Sequence, residues 1–199
     1  RWFKIIVYMF IVIFTITSVG PFLFAFVSSF KDEAHILDFP PSLIPNPFIV
    51  SNYTFLVTTL NGAFLRWVLN SLIYAVAASA LNILFSAMAG YALARLHFKG
   101  REVVFVLTLA VMMIPMPVII IPKFLIINSV HLTNTYIALL LPAMAQPFSV
   151  FLMVQFMKSL PRELEESAMI DGASQWTIFR LIVVPLVKPA LTAVGILSF

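Results

Sequence analysis

The chain has 199 residues, of which 62% are hydrophobic and 10% charged, and it carries a net charge of +4. Soluble domains carry roughly 25% charged residues, so this composition excludes a water-soluble fold: there is too little polar surface to cover the apolar side chains. Cysteine is absent, which removes disulfide frameworks and thiol chemistry, and His35, His97 and His131 fall in separate loops without metal-ligand spacing, so no bound metal is expected.

About 20 apolar residues at 1.5 Å rise cross a hydrocarbon core of about 30 Å. Residues 5–30, 67–94, 103–125 and 136–157 meet that requirement, and a fifth run begins near Pro185 and reaches Phe199. The runs are continuously apolar rather than alternating, which opposes a barrel and predicts helices. The expected fold is an all-α, polytopic transmembrane helix bundle. The first run follows Arg1 and Lys4, as a secretory signal would, but it exceeds the ~7–15 residues of a signal core and reads as a retained span.

Residues 31–66 form the longest connection. Pro40, Pro41, Pro45 and Pro47 exclude a regular helix in its first half. Asn52-Tyr53-Thr54-Phe55-Leu56 predicts a short surface helix capped by Ser51. Such a loop suits docking of an extracytoplasmic protein, and composition fits a plain spacer equally well.

In the second run Ser86, Gly90 and Ala94 recur every four residues, preceded by Ala75 and Ser79, which reads as a face for close helix packing. The third run contains Met112-Met113-Ile114-Pro115-Met116-Pro117 and Pro122, and the fourth contains Pro142 and Gln146-Pro147. Prolines inside a span free carbonyls and bend the helix. Two adjacent broken helices either flank a translocation path or simply shape the bundle. Asn82, Met113 and Gln146 are the candidate substrate-path residues. Asn82 and Gln146 can hydrogen-bond hydroxyl groups, although polar side chains in bundles also serve helix–helix contacts. No Asp or Glu lies in the middle of a run, which opposes an ion-coupled carrier.

Basic residues set the orientation. With the N-terminus in the cytoplasm, Arg1, Lys4, Arg95, Lys99, Arg101, Lys158, Arg162, Arg180 and Lys188 lie inside, and Lys31, Arg66 and Lys123 lie outside. Topology therefore accounts for the positive charge, and no nucleic-acid partner is expected.

The inside segment 158–188 predicts two helices around a glycine. Pro161 suits a first turn, Glu163, Glu165 and Glu166 sit near the positive helix end, and Gly172 can end the helix in the left-handed conformation. Ser174 can cap the next helix, which bears an apolar stripe of Trp176, Phe179, Ile182 and Val183. Pro185 and Pro189 mark re-entry into the membrane. This unit is either a knob that fits a partner's groove or an amphipathic element lying on lipid.

Glu166-Ser167-Ala168, Asp171-Gly172-Ala173, Trp176, Phe179 and Pro185-Leu186 resemble the EAA loop of ABC-importer permeases. Asn70-Ser71, the stretch Ala89-Gly90-Tyr91-Ala92-Leu93-Ala94-Arg95 and the proline-rich external loop resemble the maltose-transporter-type subfamily, and the likeness covers essentially the whole chain. Ser167 stands where the family has its second alanine. Family members continue beyond Phe199, so six spans are expected in a full chain and about five here, within one transmembrane domain over 1–199.

The resemblance implies a permease subunit of a sugar importer in a bacterial or archaeal cytoplasmic membrane. It implies that Glu165, Glu166, Ser167, Ala168, Asp171, Gly172 and Ala173 couple to a cytoplasmic ATPase. The implied partners are a second homologous permease subunit, two ATPase subunits, an extracytoplasmic solute-binding protein, the sugar and the bilayer. The chain has no Gly-x-x-x-x-Gly-Lys-Ser/Thr phosphate loop, so it is expected to be non-catalytic and free of cofactors, with ATP and magnesium held by the ATPase. A non-sugar ABC permease and a secondary carrier are the alternatives. A membrane enzyme finds no nucleophile–base set or paired carboxylates to support it.

Overall fold

In hydrocarbon a backbone without water must bond to itself, and the apolar runs do so as helices. The computed structural model describes residues 2–59 and 62–199. Its α-helices are α1 (Trp2–Ser28), α2 (Ser51–Thr58), α3 (Ala63–Arg95), α4 (Arg101–Met112), α5 (Met116–Ser129), α6 (Tyr136–Leu140), α7 (Pro147–Lys158), α8 (Glu163–Ile170), α9 (Gln175–Ile178), α10 (Val184–Leu186) and α11 (Lys188–Ser198). A 3-10 turn at Leu141–Ala143 links α6 towards α7, and a π-helical turn at Phe179–Val183 links α9 to α10. Among the described residues there is no strand.

Among the described residues, three helices are long and apolar enough to cross a membrane, Trp2–Ser28, Ala63–Arg95 and Tyr136–Lys158. Two bent pairs raise the number to five if each pair is one span. The residues form two compact units, one ending at Val68 and one covering Leu69–Phe199.

In the first unit the loop after α1 folds back onto the end of that helix. Asn52 Nδ2 donates to the carbonyls of Ser29 and Lys31, each at 2.9 Å. Phe30 stacks on Phe48 with centroids 4.9 Å apart and tilts against Tyr53 at 5.4 Å. Lys31 is buried, with its ammonium on the Ser42 carbonyl and over the Phe24 ring. The expected surface helix is present as α2, but Ser51 does not cap it. Val50 holds the cap position with no side-chain bond, and Ser51 is the first helical residue.

The core lies in the second unit, where α3, α7 and the α9–α11 stretch meet. Ala87, Tyr91 and Ala94 of α3 pack with Met153, Val154 and Met157 of α7 and with Ile178, Phe179, Val183, Val187, Ala190 and Val194. The small-residue face makes this approach possible. A methyl group at Gly90 would stand 2.5 Å from Met153 Cβ, and Ser86 and Ala94 are buried on either side.

Two expected spans take different forms. The third is not one run over 103–125: α4 and α5 are bent by 109° at Met113–Pro115. Proline pushes the residue before it away from helical backbone angles and itself lacks an N–H, so Pro115 and Pro117 end one helix and start another. Pro122 is carried inside α5. The fifth run starts earlier than Pro185, as Gln175–Leu186, and bends by 76° into α11. In the π turn the Val184 N–H bonds to the Phe179 carbonyl, five residues back, and the helical path continues through Pro185 to the bend at Val187, between the two prolines.

Gly90→Ala is expected to lower stability in detergent thermal unfolding by about 1–3 kcal/mol, the usual cost of overpacking. Gly20→Ala, where nothing lies within 4 Å of the new methyl, is the control expected to show no loss.

Candidate functional site

The segment after α7 folds as the expected helix–glycine–helix unit. Three carboxylates in the first turn of α8 sit where the helix dipole favours them, although the helix starts two residues after Pro161. It ends in a Schellman motif at Gly172, whose φ is +82°. The Gly172 N–H bonds to the Met169 carbonyl at 3.1 Å, and the Ala173 N–H to that of Ala168 at 2.9 Å. Ser174 Oγ then caps α9 by accepting the Thr177 N–H at 3.2 Å.

The side chains of α8 divide into two sets. Glu166, Ser167, Asp171 and Gly172 are open to solvent, whereas Ala168 and Ala173 are half-buried against the core. Ile170 is 86% exposed, with Leu164 and Met169 also exposed beside the acidic residues. An uncovered isoleucine among carboxylates gives the tip of the unit an apolar point with an acidic surround.

Glu165, one of the residues expected to couple, belongs to neither the tip nor the open face. It is 6% exposed, and its Oε1 lies 2.8 Å from Arg95 Nε at the end of α3. Separately, Arg95 Nη2 donates to the Leu160 carbonyl at 2.7 Å. Burial pushes the Glu165 carboxyl above its ordinary range, and the Arg95 and Arg162 charges draw it part of the way back. Four residues before Arg95, one helical turn along α3, the Tyr91 hydroxyl donates to Gln175 Oε1 at 2.8 Å. Its ring packs on Phe179 with centroids 5.1 Å apart. The unit is thus tied to α3 before, within and after α8. A hollow of about 350 Å³ beside the ion pair is lined by Arg95, His97, Arg162, Glu165, Glu166 and Met169, among others.

The candidate path residues are only partly brought together. Asn82 is fully buried, and both ends of its amide are used within the chain. Its Oδ1 accepts the Gln146 N–H at 3.0 Å, and its Nδ2 donates to Ser149 Oγ at 2.9 Å. Asn82 therefore closes the start of α7, where Pro147 interrupts the fourth span, and both polar atoms of its amide have partners within the chain. The Gln146 side chain is exposed, and Met113 stands 84% exposed at the separate α4–α5 bend.

Sequence reasoning missed Arg95, Tyr91, Gln175 and Ser149 as working residues. Arg95 had a readable signal: a cation at a helix C-terminus, on one face with Tyr91 at i, i+4 spacing. The pairing of Arg95 with Glu165 had none, because 70 residues separate them in the chain.

The family described as "Binding-protein-dependent transport system inner membrane component" matches residues 82–199. The arabinooligosaccharides transport system permease protein AraQ of Bacillus subtilis is 35% identical, over 98% of this chain and 70% of that protein. The diacetylchitobiose uptake system permease protein NgcG of Streptomyces coelicolor is 35% identical, over 100% of this chain and 66% of that protein. The chain thus spans about two thirds of the length of these curated relatives. In a crystal structure of a bacterial ABC transporter involved in the import of the acidic polysaccharide alginate, one chain shares the fold. The TM-score is 0.86 at 24% identity, covering 100% of this chain and 69% of that one.

Arg95→Leu leaves Glu165 buried without its partner and is expected to cost about 3–5 kcal/mol, while Glu166→Gln on the open face stays within about 0.5 kcal/mol. Asn82→Leu strands the Gln146 N–H and is expected to cost about 1–3 kcal/mol. Thermal unfolding of the three purified variants checks the ranking.

Proposed function

Because the chain belongs to the binding-protein-dependent transport system inner membrane component family, we propose that it is the permease subunit of an ATP-driven sugar importer. Its helices make it a multi-pass protein of the cytoplasmic membrane. In this reading it forms half of a translocation pathway with a second homologous permease. Two cytoplasmic ATPase subunits hold ATP and magnesium, and an extracytoplasmic binding protein delivers a mono- or oligosaccharide to the outer loops. The names of the two curated relatives, one for arabino-oligosaccharides and one for diacetylchitobiose, support the saccharide class.

The observation that carries the coupling role is the division of α8. Glu165 is held inside by Arg95, and Glu166, Ile170 and Asp171 are turned out. A helix fixed to a span on one face and open on the other can take a push from a partner and pass it on. Burying Ile170 in a partner's cleft also removes exposed apolar surface, at about 25 cal/mol per Å². The positive-inside bias puts this face on the cytoplasmic side, where an ATPase would meet it.

Two variants of the full-length protein test the coupling face. Glu166→Arg reverses a charge on the open side of α8, and Gly172→Val forces a β-branched residue to a φ of +82°. Each is expected to reduce ATP-dependent uptake at least tenfold in membrane vesicles while the amount of protein in the membrane is unchanged. Normal uptake and normal co-purification of an ATPase in both variants would defeat the reading. Competition in the same vesicles tests the solute: saccharides are expected to inhibit uptake, and inhibition by amino acids but by no saccharide removes the sugar assignment.

A further inference from the structure

A knob that receives a partner's motion is useful only if a span moves with it, and the contacts of α8 name that span. The unit is braced against α3 at three points in chain order. Arg95 Nη2 holds the Leu160 carbonyl before α8, Arg95 Nε faces Glu165 within it, and Tyr91 holds Gln175 after the glycine. Both members of the ion pair are buried, with side chains 4% and 7% exposed, so water does not loosen it as it loosens a surface pair. The acidic neighbours Glu163 and Glu166 are exposed and lie outside this brace.

We infer that Arg95 and Glu165 are positioning residues that oblige α3 to follow displacement of α8, with Tyr91 and Gln175 as the second brace. This rests on the coupling role proposed above and adds which span is driven and through which side chains. α3 is a suitable output element: it is a single helix over Ala63–Arg95, whereas the spans over 101–129 and 175–198 are each broken. The same helix carries Gly90 against Met153 and Asn82 against the start of α7. Displacement at its cytoplasmic end therefore reaches the break in the fourth span through groups in direct contact.

The test reconstitutes the full-length protein with its co-purifying ATPase in proteoliposomes and measures solute imported per ATP hydrolysed. Arg95→Gln and Glu165→Gln are each expected to lower that ratio at least fivefold while the ATPase still co-purifies and hydrolyses ATP. The double variant Arg95→Gln/Glu165→Gln is expected to lose no more than the worse single one, as partners in one interaction do. Arg95→Lys keeps a paired buried charge and guards against misfolding. A lysine cannot hold both Glu165 and the Leu160 carbonyl with a rigid fork, so its ratio should fall between wild type and Arg95→Gln.

An unchanged ratio in both single variants overturns the inference, as does a double variant whose loss is the product of the two. Arg95→Lys performing no better than Arg95→Gln also overturns it. Loss of ATPase co-purification in the variants points instead to a role in docking and likewise overturns it. Failure of the wild-type protein to bring down any ATPase sinks the importer reading itself, a separate outcome.

Discussion

A backbone amide left unbonded in hydrocarbon costs several kcal/mol, and that constraint organises this chain. It makes the apolar runs helical and makes each break a place where another group must intervene. At Pro147 the intervening group is the Asn82 amide, reaching across from α3 to the Gln146 N–H. At the end of α8 it is the Schellman pair of backbone bonds around Gly172. At Pro185 the π turn takes up the change in hydrogen-bond register, with the Val184 N–H bonded five residues back.

A buried ion pair adds little net stability, because desolvation offsets much of its Coulomb attraction. What Arg95 and Glu165 supply is uniqueness of placement. Glu165 can rest in its buried position only when Arg95 is opposite, so the rotation of α8 about its own axis is fixed. With that rotation fixed, Glu166, Ile170 and Asp171 must face outward. The alternative reading of this segment, an amphipathic element lying on lipid, sits poorly with the sites of its exposed residues. Its uncovered apolar side chains Leu164, Met169 and Ile170 are interspersed with Glu163, Glu166 and Asp171, with no single apolar face for the bilayer.

Much of this was legible from residue order alone, and the limits have physical causes. Span existence followed from hydropathy because the length requirement of a bilayer is strict. The Gly172 stop and Ser174 cap were readable because both are local, set by residues within one turn. The Gly90 face was readable because only small residues allow so close a crossing. Reach across the fold was not readable. Glu165 and Glu166 are adjacent and chemically identical, and only the position of Arg95 decides which one turns inward. Asn82 presented an amide suited to a hydroxyl-bearing solute, and the structure uses it for a backbone N–H 64 residues away. The third span failed in angle: prolines announce a break, but the 109° bend depends on what surrounds it.

The crossing at Gly90 bears on how the spans can rearrange. Shifting α3 by one turn along α7 would bring the Cβ of Ser86 or Ala94 to the place where Gly90 now clears Met153, and 2.5 Å leaves no room for either. A close crossing that tolerates no Cβ thus acts as a register lock, holding α3 and α7 at one axial setting.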